Sequence, residues 1–202
     1  MTTEKITIYR ANENFDLRFD PIEETMKVKK LKDGYEVKYL IQDEGGESPD
    51  NWGDESLFLV NYHRDFHVEN KEVISEDEVR AYYQGEKIEQ VKEYRIFFLT
   101  SYIHSGVTLY LGESSNPSGV GYGHFDTSHV GLVFASKKEF PQLKDAEKAV
   151  EGLIETWNKY LHGDVYCLVR ENFDLEKNYQ EHDTLGGCYG FEDAKSALET
   201  EI

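Results

Sequence analysis

Apolar positions along this chain recur every second residue, every third or fourth residue, or in short unbroken runs, and each pattern predicts a different element. Lys5 to Arg10 alternates as a short strand. Met26 to Ile41 alternates as two strands around Lys32-Asp33-Gly34, where Asp-Gly predicts the positive φ angles of a tight hairpin turn. Gln42 to Asp54 gathers Gly45, Gly46, Ser48, Pro49, Asp50, Asn51 and Gly53 and reads as a loop. Leu57 to Tyr62 fits a buried strand. Ser75 and Glu78 have the spacing of a capping box, which predicts a short helix running to Gln84 before Gly85. Tyr94 to Tyr102 and Val107 to Leu111 are aromatic, β-branched and nearly free of charge, as central antiparallel strands are, with a bend near Ser105-Gly106.

Gly112 to Gly123 is too rich in glycine and serine for a regular element, and Val130 to Ala135 resumes as a strand. Ser136 and Glu139 make a second capping box. Leu143, Ala146, Val150, Leu153, Ile154, Trp157 and Leu161 then recur at helical spacing until Gly163. Asp164 to Arg170 reads as a strand and Glu192 to Glu199 as a short terminal helix. This order predicts an α+β fold: a mixed or antiparallel sheet covered by one long amphipathic helix, with an N-terminal β-hairpin. Residues 1–45 form the hairpin region and 46–202 the main α+β domain, the two making one compact unit.

Composition supports a folded core, since 39% of the 202 residues are hydrophobic, with 14 Tyr and 11 Phe. Met1 to Ile8 has neither a basic nor an apolar leader region, and no run approaches the roughly 18 apolar residues of a membrane span, so the chain is expected in the cytoplasm. Cys167 and Cys188 lack the close spacing of a redox or zinc motif and are expected as reduced thiols. The pattern calls for no cofactor and no metal.

Charge changes the picture most. Forty acidic residues face 22 basic ones, a formal net charge of −18, which disfavours direct contact with a nucleic-acid backbone and favours a basic protein surface. The excess concentrates in Asp33 to Glu55 and Glu171 to Glu201. From these blocks Glu44, Glu47, Asp50, Asp54, Asp174, Glu176, Glu181 and Asp183 are the candidate partner-binding residues.

Chemistry is spread more thinly. His63 and His67 stand four apart, a spacing able to share a metal, but no second cluster completes the ligand set. His63-Arg64-Asp65, the stretch around His104, and Phe125-Asp126 fall at predicted strand ends, where scaffolds present functional groups. Two imidazoles, His63 and His104, could serve as general acid and base near neutral pH, with Arg64 holding an anion and Asp126 orienting a ring. Gly119-Val-Gly121-Tyr-Gly123 opens toward a strand rather than a helix, unlike a dinucleotide loop. Neither Ser105 nor Ser128 sits in a nucleophile elbow.

Asp50-Asn-Trp-Gly53, Asn61-Tyr-His-Arg-Asp65, Tyr102-Ile-His-Ser-Gly106, Phe125-Asp-Thr-Ser-His-Val-Gly131, Ser136-Lys-Lys-Glu139, Tyr160-Leu-His-Gly-Asp-Val-Tyr166 and Tyr189-Gly-Phe-Glu-Asp193 occur in this order and spacing. Through them the chain resembles a family of small acidic proteins of uncharacterised activity encoded by phages, prophages and plasmids. The resemblance spans roughly residues 50 to 195 and implies an origin on a mobile element. Together with the charge, it leads to the expectation of an inhibitor of a bacterial defence system, of the anti-CRISPR or anti-restriction type. Its partner would be a basic nucleic-acid-binding protein such as a CRISPR or restriction effector. The alternatives are a His-based nucleotide or nucleic-acid hydrolase, or a sponge for a defence signalling nucleotide with Arg64 and the glycine loop on phosphate.

Overall fold

The computed structural model describes residues 15–52, 55–63, 68, 73–103, 106–112 and 127–200, without the side chains at 51, 52, 90, 103 and 127–130. The strand predicted at Lys5 to Arg10 lies outside these residues. The chain is α+β, with two antiparallel sheets and three helices among the described residues. None of these helices is long and apolar enough to cross a membrane. Two compact units form, one from residues 1–47 and 163–202, the other from residues 48–162. The sequence pattern suggests one sheet and a break near residue 45. Instead the N-terminal strands find their partners at the far end of the chain, because Tyr35–Gln42 pairs with Val165–Phe173.

In the first unit the strands are β1 (Lys27–Lys30), β2 (Tyr35–Gln42), β7 (Val165–Phe173) and β8 (Tyr179–Tyr189), in the order β1-β2-β7-β8. The alternation of β2 and β7 gives the sheet two apolar faces. On one, Val37, Tyr39, Val169 and Phe173 pack with Met26 and Val28 beneath Phe15, Leu17 and Phe19. On the other, Leu40 and Leu168 pack against Ala194 and Leu198 of the helix α3 (Phe191–Thr200). Ile22 and Thr25 extend the edge of β2 beyond the reach of β1: Ile22 N donates to Leu40 O at 2.8 Å, and Leu40 N donates to Thr25 Oγ1 at 2.9 Å.

The turn between β1 and β2 is a four-residue loop, closed by Leu31 N donating to Gly34 O at 2.9 Å. Gly34 is not among the glycines with positive φ, contrary to the Asp-Gly expectation. Its lack of a side chain matters for another reason. A Cβ there would lie 1.9 Å from the Phe173 carbonyl oxygen, so glycine is required by close approach of two backbones.

The second unit holds β3 (Leu57–Asn61), β4 (Tyr94–Ile103), β5 (Val107–Gly112) and β6 (Thr127–Ser136), ordered β3-β6-β4-β5. The helix α2 (Leu143–Leu161) lays Ala146, Val150, Ile154 and Trp157 on Leu59, Leu99, Leu109 and Val133. The opposite face buries Phe58, Val60, Leu132 and Phe134 against Ile74, Ile88, Val91 and Val79 of the helix α1 (Glu76–Tyr83). Ser75 caps α1 in a complete capping box with Glu78, and Gly85 (φ 92°) follows its end. The Ser136–Glu139 spacing, by contrast, caps no helix: Phe140 N returns to Ser136 O at 2.9 Å in a tight turn. Pro141 restrains Phe140 from helical angles, and α2 starts only at Leu143.

Gly34→Ala would force a methyl group into a backbone carbonyl that cannot swing aside. We expect it to lower stability by about 2 kcal/mol or more, read as a shift of the urea midpoint, with Gly45→Ala, where a Cβ meets nothing within 4 Å, as the neutral control.

Candidate functional site

Two places bear on the residues singled out in the sequence, one in each unit. In the first unit it is the outer edge of β8. The edge strand has few apolar residues, and its side chains from Gln180 to Gly187 are all exposed. Pairing along β7, with irregularities between Tyr166 and Leu168 and between Asn172 and Phe173, is what makes it a strand. Among the described residues no strand pairs with its outer side.

Part of this unit's acidic side chains lie on or beside that strand. At its start, Asp174 accepts from Asn178 N at 2.8 Å and from Asn178 Nδ2 at 2.9 Å, which closes the β7–β8 turn around Lys177 (φ 65°). These donors hold the Asp174 carboxyl below its ordinary range. Asp174 is therefore a turn-former, while Glu176 projects from the turn into solvent. Along the strand, Glu181 accepts from Asn172 Nδ2 at 3.0 Å, and Asp183 is bridged to the Arg170 guanidinium. At its end, Asp43 accepts from Gly187 N at 3.0 Å and the Tyr189 hydroxyl donates to Glu47 O, which seats the loop bearing the exposed Glu44 and Glu47 beside β8. Six of the eight predicted partner-binding residues thus line a strand roughly 30 Å long. Asp50 belongs to the other unit, in a 3₁₀ turn (Pro49–Trp52), and Asp54 lies outside the described residues.

In the second unit the place is one end of the sheet. Because β6 runs antiparallel to both β3 and β4, the C-terminal ends of β3 and β4 and the N-terminal end of β6 meet there. Asn61, Thr100 and Ser101 are buried at this end, and Asn61 donates from Nδ2 to Ser101 Oγ at 3.1 Å. Asn61 Oδ1 accepts from His63 N at 2.9 Å, which fixes the chain as it leaves β3. A bulge separates the Leu99 and Ser101 pairings with β6, and the Tyr83 hydroxyl reaches both sides of it, 2.7 Å from Leu99 O and 2.9 Å from Gly131 O. Gly131 lets β6 sit close between its two neighbours, since a Cβ would meet Val60 O of β3 at 2.9 Å and Leu99 Cδ2 of β4 at 2.8 Å. Burial pushes the Tyr83 phenol well above its ordinary pKa.

Of the enzymatic set only His63 is described; Arg64, His104 and Asp126 lie outside the described residues. In sequence, His104 follows the last residue of β4 and Asp126 precedes the first of β6, so all three strand ends that meet here lead into candidate residues. Among the described residues no group of three His, Cys, Asp or Glu side chains could hold a metal ion. Cys167 and Cys188 form no disulfide, and burial raises the Cys167 thiol above its usual range, with Asp43 adding to the effect.

Sequence reasoning missed one group. Val165, Cys167, Val169, Glu171 and Phe173 alternate on one face of β7, and Glu171 is the single charge in that row. It is 0% exposed. An ionisable residue breaking an apolar period-two row is the signal that could have found it.

The chain matches no protein-family model, no curated protein and no solved structure.

Tyr83→Phe removes the hydroxyl that serves two buried strand carbonyls at the bulge. We expect a loss of about 1–3 kcal/mol in unfolding free energy and faster amide exchange at Leu99 to Ser101 than in the rest of β4, measured by hydrogen–deuterium exchange.

Proposed function

We propose that this chain is an acidic inhibitor of a bacterial defence system, of the anti-CRISPR or anti-restriction kind, encoded on a mobile element and acting in the cytoplasm of the host. Its partner is a basic nucleic-acid-binding protein, and its contact surface is the β8 edge, with the N-terminal hairpin and the helices as scaffold. The supporting observation is the run of exposed acidic side chains on and beside that edge: Glu176 at one end, Glu181 and Asp183 along it, Glu44 and Glu47 at the other. Carboxylates two residues apart on a strand are about 6.8 Å apart, twice the rise per nucleotide of one DNA strand. Such a strip competes for a basic channel through electrostatically assisted association that weakens with salt.

The contributions are unequal. Asp183 shares its charge with Arg170 and Asp174 is spent on its turn, so the net attraction falls mainly to Glu44, Glu47, Glu176 and Glu181. Captured from a nuclease-treated lysate, the tagged protein should retain one basic effector at low salt and release it at high salt. The combined variant Glu44→Lys, Glu47→Lys, Glu176→Lys, Glu181→Lys should bind that purified effector at least about tenfold more weakly, a change of roughly 1.4 kcal/mol. Unchanged affinity would remove the β8 edge from the interface.

The meeting of three strand ends around Asn61, Ser101 and His63 favours one second reading, a histidine-dependent hydrolase of nucleotides or nucleic acid. In that case His63→Ala and His104→Ala would each abolish biological activity without changing the melting temperature, and the charge-reversed variant would retain it.

A further inference from the structure

The first unit holds an ionisable side chain that the partner-binding reading does not use. Glu171 sits on β7 opposite Val37 of β2 and His182 of β8, and it is 0% exposed, as is Tyr39 on the same face. Over this face runs the segment Phe15–Phe19. Arg18 N donates to Glu171 Oε1 at 3.0 Å, while among the described residues neither Glu171 Oε2 nor the Tyr39 hydroxyl has a hydrogen-bond partner of good geometry. The segment is otherwise held by rings: Phe15 against Tyr35 (5.4 Å) and Phe173 (4.9 Å), the Arg18 guanidinium over Tyr179 (4.8 Å), and Phe19 against His182 (5.6 Å).

We propose that Phe15–Phe19 is a strap gated by one proton, closed over Glu171 while its carboxyl is protonated and released when the carboxylate forms. The reason is solvation. A buried carboxylate with one oxygen lacking a well-placed donor is costly, and lifting a five-residue strap that lies over it is the cheapest way to readmit water.

The groups facing Glu171 pull in both directions. From the strap come the Arg18 amide and guanidinium, from β2 the Tyr39 hydroxyl, and from β8 the His182 ring; each favours the carboxylate. Burial opposes them and prevails, so the closed-state carboxyl lies above its ordinary range. Cys167, next but one on the same face of β7, bears on Tyr39, whose phenol is itself pushed up by burial and by Glu171. Tyr179, at the start of β8, is engaged with His182, its hydroxyl 2.6 Å from Nδ1.

The sign follows. With the strap lifted, Glu171 is hydrated and titrates near the ordinary value of about 4.3. The proton therefore stabilises closure fully below that value, and the stabilisation is lost as pH rises through the closed-state pKa.

The test uses the whole chain and the exposed Arg18. Trypsin cleavage between Arg18 and Phe19 is followed by mass spectrometry from about pH 4, near the open-state value, to pH 8.5, each rate divided by that of a free peptide of the same residues, which cancels the pH dependence of the protease itself. For the wild type the normalised rate should rise about tenfold for each unit by which closure raises the pKa, and for Glu171→Gln it should stay low and flat. A flat wild-type profile, or an equal rise in Glu171→Gln, would overturn the gate. Should circular dichroism show that Glu171→Gln does not fold, Tyr39→Phe supplies the second arm. It removes the Tyr39 hydroxyl, which favours the carboxylate, and should enlarge the rise, whereas an unchanged or smaller rise would overturn the proposal.

Discussion

The antiparallel pairing of β2 with β7 is the constraint on which the rest of the first unit depends. It runs from Tyr35 opposite Phe173 to Gln42 opposite Tyr166 and joins segments from the two ends of the chain. Without it the β1–β2 pair has one neighbour too few for independent stability, β8 has no strand to follow, and α3 and the Phe15–Phe19 segment lose the faces they cover. The second unit is spliced into this pairing, because residues 48–162 leave after β2 and return before β7. The entry and exit points are therefore tied together: Asp43 N donates to Val165 O at 2.9 Å, and the Gln42 side-chain amide donates to Gly163 O and Val165 O. Closing a loop this long costs only logarithmically more than a short one, and a compact insert shortens the effective loop further.

Elements whose residues settle their own conformation were legible in the sequence. Ser75 and Glu78 satisfy the first amides of α1 by themselves, and Gly163 (φ 70°) supplies the left-handed residue beyond the end of α2. Features that depend on distant chain were not. Gly34 was read for its turn angles, but what it serves is the Phe173 carbonyl, more than a hundred residues away in sequence. The strand β8 has no apolar alternation to reveal it, since it is formed by hydrogen bonding to β7 and not by burial. A pattern of side chains records what is buried and is silent about an exposed ladder.

The same distinction runs through the candidate sites. The acidic blocks were visible as composition, yet composition cannot separate a carboxylate that closes a turn, as Asp174 does, from one that projects into water, as Glu176 does. The histidine-bearing segments were visible as motifs, and the antiparallel order β3-β6-β4 explains why strand ends so far apart in sequence meet. Glu171 was hidden among nine acidic residues of the C-terminal block, and its distinction is its position on β7.

The sheet edges differ in how they are closed. The outer side of β5 is occupied by α2, where the Asn158 amide accepts from Leu109 N at 2.7 Å and donates to Leu109 O at 3.0 Å, imitating a neighbouring strand. The outer strand β1 carries Lys27, Lys29 and Lys30, charges that discourage stacking. For β8, two copies meeting antiparallel about His182 would set Glu181 of each against Asp183 of the other, and Gly187 (φ 71°) interrupts the straight ladder a fibril needs. The edge is thus self-avoiding: like charges placed opposite one another work against pairing with a second copy of the same strand, whatever else it meets.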